Sequence, residues 1–326
     1  MAASSSRKLR RFVIGFWAFN LCLGLLVTAA WLWKNPAARA LIISPTPIPT
    51  GTDPPTATAS FVPTATFTLT ATAVPSDTPT PTLTPTPTST PIPFSEGPIV
   101  IGTSVEGRPL EVYRFGTGAT ERLIVAGMHG GAEYNTIQLA DELIAYLGDH
   151  PEIVPPEVTL YILRALNPDG AARSHDYLGR TNANLVDLNR NWPANWQKSW
   201  NPTGCWTLTY VSAGSGPASE PETQALMAFI QAHHFDGLIN YHSAALGIFP
   251  GGIPISEASK RLAEAVAAVS TYPYPPINTG CEYTGGMVDW TANQGIPSLD
   301  VELTDHTDTD FEMNLKVLQV FLNWKQ

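Results

Sequence analysis

The chain has 326 residues and a net charge of −10 at pH 7, long enough for one large or two ordinary domains. Setting aside the residues before Phe94 leaves 12 Lys and Arg against 26 Asp and Glu. A domain carrying about −14 lacks the basic face that nucleic acid or an anionic lipid surface requires, and both are excluded as partners.

Residues 1–11 carry Arg7, Lys8, Arg10 and Arg11, and residues 12–33 follow without a charge. About 20 apolar residues cross a hydrocarbon core as a helix, and the basic flank assigns the preceding end to the cytoplasm. The pattern predicts a single-pass signal-anchor with Trp31 and Trp33 at the outer interface and the rest of the chain extracytoplasmic. A cleaved signal peptide is the rival, because Ala37-Ala-Arg-Ala40 offers small residues; the protein would then be secreted. The uncharged run, however, exceeds the roughly 7–15 residues of a signal core.

Residues 44–93 hold 13 of the 30 prolines among Thr, Ala and Ser. Such a tract has too little apolar surface to offset the entropy of ordering. It reads as a disordered stalk, reaching on the order of 150 Å at most in the polyproline II conformation. Cys22 lies in the apolar run, whereas Cys205 and Cys281 fall in the exported part, where two thiols oxidise to one bridge.

The domain at 94–326 alternates strands and helices. Residues 111–115, 122–127, 158–163, 236–241 and 298–303 read as strands. Residues 133–147, 225–232, 256–269 and 311–324 read as helices, the first from the stripe Ile137, Leu139, Ala140, Leu143, Ile144 and Leu147. Asn167-Pro-Asp-Gly170 has turn chemistry throughout, and Ser219-Glu-Pro-Glu222 reads as a capping box. Residues 171–216 are irregular, which in a compact domain marks a functional segment. The alternation predicts an α/β domain with a mostly parallel sheet covered on both faces. Ligands bind at the C-terminal ends of such strands, where His129, His242 and Glu302 fall.

Two imidazoles and a carboxylate, from His129, Glu133 and His242, match the ligand set of an open catalytic zinc site. Glu302 is a candidate to move the proton of an attacking water. Arg180 is a candidate to stabilise an oxyanion. In Val186-Asp-Leu-Asn-Arg-Asn-Trp192, Arg190 presents a planar fork that fits a carboxylate, with Asn189 and Asn191 as flanking donors. Each has a plainer alternative: a turn histidine, a core histidine, a strand-end carboxylate paired with an Arg, and an Arg190 paired with Asp187. His150, His175, His233, His234 and His306 read as ordinary surface residues.

The ordered set of His-Gly with a following Glu, Asn-Pro-Asp-Gly, Gly-Arg-x-Asn-Ala-Asn-x-x-Asp-Leu-Asn-Arg-Asn-Trp, Tyr-His-Ser, Gly-Gly-Met-Val-Asp-Trp and a late Glu resembles the zinc metallocarboxypeptidases, over about residues 100–325. The resemblance implies an α/β/α sandwich around a mixed eight-stranded sheet. It implies one Zn2+ held by His129, Glu133 and His242, Glu302 as general base and then acid, and Arg180 at the oxyanion. Asn189 and Arg190 would hold the substrate's terminal carboxylate, Tyr283 would be the family's mobile tyrosine, and Val288 would set the side-chain pocket. An apolar Val288 weighs against Lys or Arg substrates, and Asp289 beside it weighs the other way.

Two departures stand out. Three residues separate His129 from Glu133 where the family has two, which calls for a bulge at Gly130-Gly131 because one extra helical residue turns a side chain by ~100°. The spacing from Gly-Gly to the late Glu is also slightly short. The expected activity is removal of a C-terminal residue from a peptide by a monomeric catalytic domain. The alternatives are a cell-wall peptidase cutting D-glutamyl–diaminopimelate bonds in peptidoglycan stem peptides, and a non-catalytic zinc- or glycan-binding module. The last would be expected to lack Glu302 or Arg180.

Overall fold

The computed structural model describes residues 94–205 and 211–326. The signal-anchor and the Thr/Pro stalk lie outside the described residues. Among the described residues no helix is long and apolar enough to cross a membrane.

Seven strands form one mixed sheet: β1 (Ser95–Thr103), β2 (Pro109–Gly116), β3 (Thr120–Val125), β4 (Val158–Leu163), β5 (Phe235–Ser243), β6 (Ile248–Pro250) and β7 (Ser298–Leu303), in the order β1-β2-β4-β3-β5-β7-β6. The four inner strands β4, β3, β5 and β7 run parallel, and β1, β2 and β6 join antiparallel at the edges. Seven strands among the described residues is one fewer than the resemblance implied. Near Val186 and Ser212 the irregular segment pairs only through a single parallel bridge.

Among the described residues the α-helices are α1 (Asn135–Asp149), α2 (Pro168–Arg173), α3 (Pro221–Gln231), α4 (Glu257–Ala267), α5 (Met287–Asn293) and α6 (Phe311–Asn323). Side chains alternate across a strand, and the two faces feed two cores. Ile124, Ile239, Leu299, Val301 and Leu303 pack with the apolar stripes of α1, α4 and α6. Leu123, Val125, Leu163 and Leu238 pack with α3, α5 and the segment Leu188–Trp192. Every residue of β4 is buried, as expected of a strand covered on both faces.

Two local expectations are corrected. Asn167-Pro-Asp-Gly170 starts α2: the Asn167 side chain accepts the Gly170 N–H at 2.9 Å, with Pro168 in the first turn. Asn is both a turn former and an N-cap, so the local signal fits either. No capping box forms at Ser219, because Glu220 takes the N-cap position without a side-chain cap and Ser219 Oγ donates to Glu220 Oε1 at 2.6 Å. Glu220 Oε2 instead accepts Asn182 and Asn184. The expected disulfide joins Cys205 to Cys281 across 76 residues.

Candidate metal centre and substrate cavity

Three ligand atoms from His129, Glu133 and His242 lie within 4.8 Å of one another, and all three residues are buried. Glu133 sits between the rings: its Oε1 is 2.8 Å from His129 Nδ1 and its Oε2 is 2.8 Å from His242 Nδ1. His129 follows β3, and His242 is the penultimate residue of β5. The extra residue before Glu133 is absorbed because helix α1 begins only at Asn135, leaving Glu133 on a loop. The two glycines serve close approach and not a positive-φ bulge. A Cβ on Gly130 would lie 2.1 Å from Ala171 N, and one on Gly131 would lie 2.0 Å from Asp176 O.

Asp187, fully buried, ties this centre together. Its Oδ1 is 2.9 Å from His129 Nε2 and accepts the Asn189 N–H at 2.9 Å. Its Oδ2 accepts Arg180 Nε at 3.0 Å and pairs with NH2 at 2.9 Å. The structural ion pair weighed for Arg190 therefore belongs to Arg180. The third Arg180 nitrogen, NH1, donates to Glu133 Oε1 at 3.0 Å. Burial favours the neutral form of Asp187, but Arg180 and His129 outweigh it and hold the carboxyl well below its usual range. The same contest, with both imidazoles opposing burial, depresses Glu133. The sequence offers Asp187 only as a partner for Arg190, and the signal of its role at the centre is its place three residues before Arg190 in the same motif.

The Leu-Asn-Arg-Asn stretch is hooked into the core at both ends. Leu188 and Trp192 are fully buried, and Leu188–Arg190 forms one 3-10 turn. Gly285, at φ +63°, lies against the Arg190 carbonyl, where a Cβ would come within 2.2 Å. Trp192 N donates to Gly285 O at 3.0 Å, which fixes the Arg-bearing turn to the Gly-Gly turn.

Arg190 lies between the rings of Trp200 and Tyr283, each centroid 5.6 Å from its Cζ. Its NH1 donates to Asn189 O at 2.9 Å, and its buried Nε has no partner among the described residues. Asn189 Oδ1 accepts the Met287 N–H at the start of α5 at 3.0 Å, and its Nδ2 lies 3.2 Å from His242 Nε2. Asn191 turns the other way. Its Nδ2 holds Ala213 O, Gly216 O and Ser219 Oγ, so it pins the irregular loop and does not line the site.

Glu302 faces His242 across β7 and β5, and its Oε2 accepts the Leu246 N–H at 3.4 Å. Burial and the Glu133 charge push its carboxyl up to about 7, against a smaller opposing pull from His242. A cavity of about 350 Å³ opens over this array and is lined by all nine candidates: His129, Glu133, Arg180, Asn189, Arg190, His242, Tyr283, Val288 and Glu302. Tyr283 stays substantially exposed at the rim, edge-on to Phe249.

His306 is exposed, as the sequence suggests, and also lines the cavity, with Nδ1 3.1 Å from Ser243 Oγ. Of the other histidines, His233 pairs with Glu121 and His175 stacks on Tyr134, and neither lines the cavity. Asp300, unnoticed in the sequence, lines the cavity two residues before Glu302, as does Asp289.

Two ring nitrogens and a carboxylate converging in a buried seat, with a second carboxylate opposite, form a site of the kind metal-dependent hydrolases use. Residues 97–321 match the zinc carboxypeptidase family, and the chain belongs to that family. It is 29% identical to bovine (Bos taurus) carboxypeptidase A1 over 238 residues, 63% of this chain and 56% of that protein. It is 29% identical to murein peptide amidase A of Escherichia coli K12 over 241 residues, 71% of this chain and 91% of that protein. The chain thus spans little more than half the length of the carboxypeptidase relatives and nearly all of the amidase.

Among solved structures, bovine thrombin-activatable fibrinolysis inhibitor superposes with a TM-score of 0.56 at 21% identity, covering 69% of this chain and 88% of that one. The murein-tripeptide amidase of Escherichia coli O157 superposes with a TM-score of 0.50 at 26% identity, covering 72% and 94%.

Proposed function

We propose that the domain is a zinc-dependent carboxypeptidase that removes the C-terminal residue of a peptide bearing a free carboxylate. The observation that carries this reading is the convergence of His129, Glu133 and His242 on one point, with Glu302 opposite and Arg190 in the same cavity. Three donors of this type suit one zinc ion and leave a coordination position open. A zinc ion held by these three residues would supply a bound water of pKa about 7 and a Lewis acid for a carbonyl.

The remaining work falls to the chain. Arg190, whose Nε is unpaired, offers its fork to the terminal carboxylate with Asn189 beside it. Glu302 accepts the proton of the attacking water and passes it to the leaving amine. Arg180 is anchored through Nε and NH2 on Asp187 and keeps NH1 on the cavity side for the developing oxyanion. Tyr283 at the rim closes over the bound residue, and Val288 forms part of the wall around its side chain.

A second reading is favoured by the murein peptide amidase, whose length the match covers almost fully: hydrolysis of the bond before the diamino acid in a peptidoglycan stem peptide. The uncharged run at 12–33, its basic flank and the Thr/Pro tract support a domain held outside the cytoplasm on one N-terminal span, and the Cys205–Cys281 bridge suits an oxidising compartment. The domain acts as a monomer in this reading, with the whole site built from one chain.

The test is metal analysis of the purified domain, together with turnover of one peptide in free-acid and C-terminally amidated forms and of a stem tripeptide. One equivalent of zinc and cleavage of the free acid alone are expected. Equal cleavage of the amidated peptide would remove the role given to Arg190, and cleavage of the stem peptide alone would favour the second reading.

A further inference from the structure

Three asparagines bracket the arginines of the site, and the mechanism above uses none of their side chains. Asn182 and Asn184 lie between Arg180 and Asp187, and Asn191 follows Arg190. All three side chains meet at Glu220, the buried N-cap residue of α3, which does not line the cavity. Glu220 Oε2 accepts the amide N–H groups of Asn182 and Asn184, each at 2.8 Å. Its Oε1 accepts Ser219 Oγ at 2.6 Å, and its backbone N–H donates to Asn191 Oδ1 at 3.2 Å.

Asn182, fully buried, passes this anchorage to the arginine-bearing segment. Its amide nitrogen also donates to Glu222 Oε2 at 3.1 Å, and its Oδ1 accepts the Asn184 and Val186 N–H groups at 3.0 and 3.1 Å. Its backbone N–H closes the same turn on the Val186 carbonyl at 2.9 Å, and this turn fills the sequence between Arg180 and Asp187. Arg173 also reaches the Thr181 and Asn182 carbonyls, on the Arg180 side of the turn. Glu220 joins that side to Asn191, beside Arg190.

A carboxylate offers about four acceptor positions and no donor. Glu220 can therefore hold three donors at once, where a side-chain amide with one oxygen cannot. We infer that Glu220 is a positioning residue for the reaction, setting the separation and aim of Arg180 and Arg190 through Asn182, Asn184 and Asn191. The inference rests on the carboxypeptidase reading and adds to it a residue outside the cavity. A satisfied buried network rigidifies the segments it joins, and misplacing a substrate-holding group by about 1 Å costs on the order of 100-fold.

Glu220→Gln keeps the volume and turns an N–H2 group toward donors that need an acceptor. On the zinc-loaded protein, kcat/KM for a free-acid peptide is expected to fall by about 10- to 100-fold, with zinc content unchanged. The fall should divide between a raised KM through Arg190 and a lowered kcat through Arg180. Leu147→Ala, a core truncation that does not touch the cavity, is the comparison. It should lower the melting temperature and leave kcat and KM as they are. Asn184→Ala, at an exposed position, removes one link and should move kcat and KM in the same direction by less, so the test survives a Glu220→Gln that does not fold. Combined with Glu220→Gln it should add little, because the two remove one shared interaction.

A Glu220→Gln protein that melts lower while kcat and KM hold overturns the inference and leaves Glu220 a structural cap. So does an Asn184→Ala with wild-type kinetics, or a double variant whose effects add in full. Calorimetric binding of an N-acetyl amino acid and of its amide reads the Arg190 seat without turnover. Wild type should prefer the acid, and Glu220→Gln should lose about tenfold of that preference, the size of one hydrogen bond to a charged group. A wild type that binds both equally removes the carboxypeptidase reading and the inference with it. A wild type that prefers the acid, with a variant that keeps the full preference, removes this inference alone.

Discussion

Glu302 and His242 stand opposite one another in the register of two neighbouring parallel strands, β7 and β5. A candidate metal ligand and the candidate acid/base are thus held by sheet hydrogen bonding, not by loop conformation. Rigid elements hold such constellations to the geometry that proton transfer needs. Glu302→Gln keeps the shape and removes the base, and the expected outcome is a fall in kcat of about 100- to 10,000-fold with zinc content unchanged. Retention of both zinc and full activity would falsify the role.

The acid limb of the pH profile follows from the same residue. Burial, then the charge of Glu133, raise the Glu302 carboxyl to about 7 in the metal-free site. A cation bound by Glu133 neutralises that charge and draws the value down. A general base works ionised, so kcat/KM should rise with pH through an acid limb lying below about 7 and level off above it. Initial rates between pH 4.5 and 8.5 check this, and a profile flat across that range contradicts it.

Metal binding should displace a proton. Burial works against a charged His242, yet Glu133 and Asp300 outweigh it and raise the ring to about 9 from its ordinary 6.5. A liganding imidazole must be neutral. At pH 7 uptake of zinc is therefore expected to release more than one proton, one from His242 and a further fraction from Glu302 as its carboxyl is drawn down, with affinity climbing as pH rises toward 9. Stability of the metal-free protein should run the other way. A raised histidine pKa contributes stability that is fully present below 6.5 and is lost as pH rises through about 9. Glu302, also raised, adds to that loss between 4.5 and about 7. Calorimetry in buffers of different ionisation enthalpy and melts of chelated protein measure the two; metal-free stability that rises across this window contradicts the assignment.

Much of this arrangement was legible in the sequence, and the parts that were not share a cause. The inner strands announce themselves as apolar runs because both faces are buried, and chemistry at their C-terminal ends follows from parallel order. The edges did not show. β1 is largely exposed along Ser95–Thr103 and carries Pro98, and β6 has only three residues. Side-chain partners were the other gap. Arg190 and Arg180 both had Asp187 within reach in sequence, and only the fold reveals that Asp187 serves Arg180 and His129. Asp300 does not stand out in the sequence because a carboxylate in the strand that carries Glu302 reads as ordinary alternation, and only the fold places it at the cavity.

Asp187 gives a direct test of how the metal seat is oriented. It accepts from the far nitrogen of His129, leaving Nδ1 to face Glu133 and His242. Partners of this kind typically change metal affinity by about 10- to 100-fold. Asp187→Asn keeps the volume, loses the charge that holds Arg180 Nε and NH2, and is expected to weaken zinc binding within that range while also lowering kcat through Arg180. Competition against a chelator of known affinity reads the first effect. Wild-type zinc affinity in this variant would show that Glu133 alone orients the ring.

The Cys205–Cys281 bridge is expected to matter to substrate binding as well as to stability. Cys205 lines the cavity and lies five residues after Trp200, and Cys281 lies two before Tyr283. These two aromatic rings flank Arg190 from opposite segments. The bridge therefore ties together the two walls that hold the guanidinium in place for a carboxylate. Closing a loop of 76 residues also removes freedom from the unfolded chain, worth about 2–4 kcal/mol in typical cases. The double variant Cys205→Ser, Cys281→Ser should melt at lower temperature and show a raised KM for free-acid peptides, with kcat changed much less because His129, Glu133, His242 and Glu302 stand on other segments. Melting curves and steady-state kinetics on the same preparation separate the two effects. A drop in melting temperature with KM unchanged would confine the bridge to stability and leave Arg190 held by Gly285 and Asn189 alone.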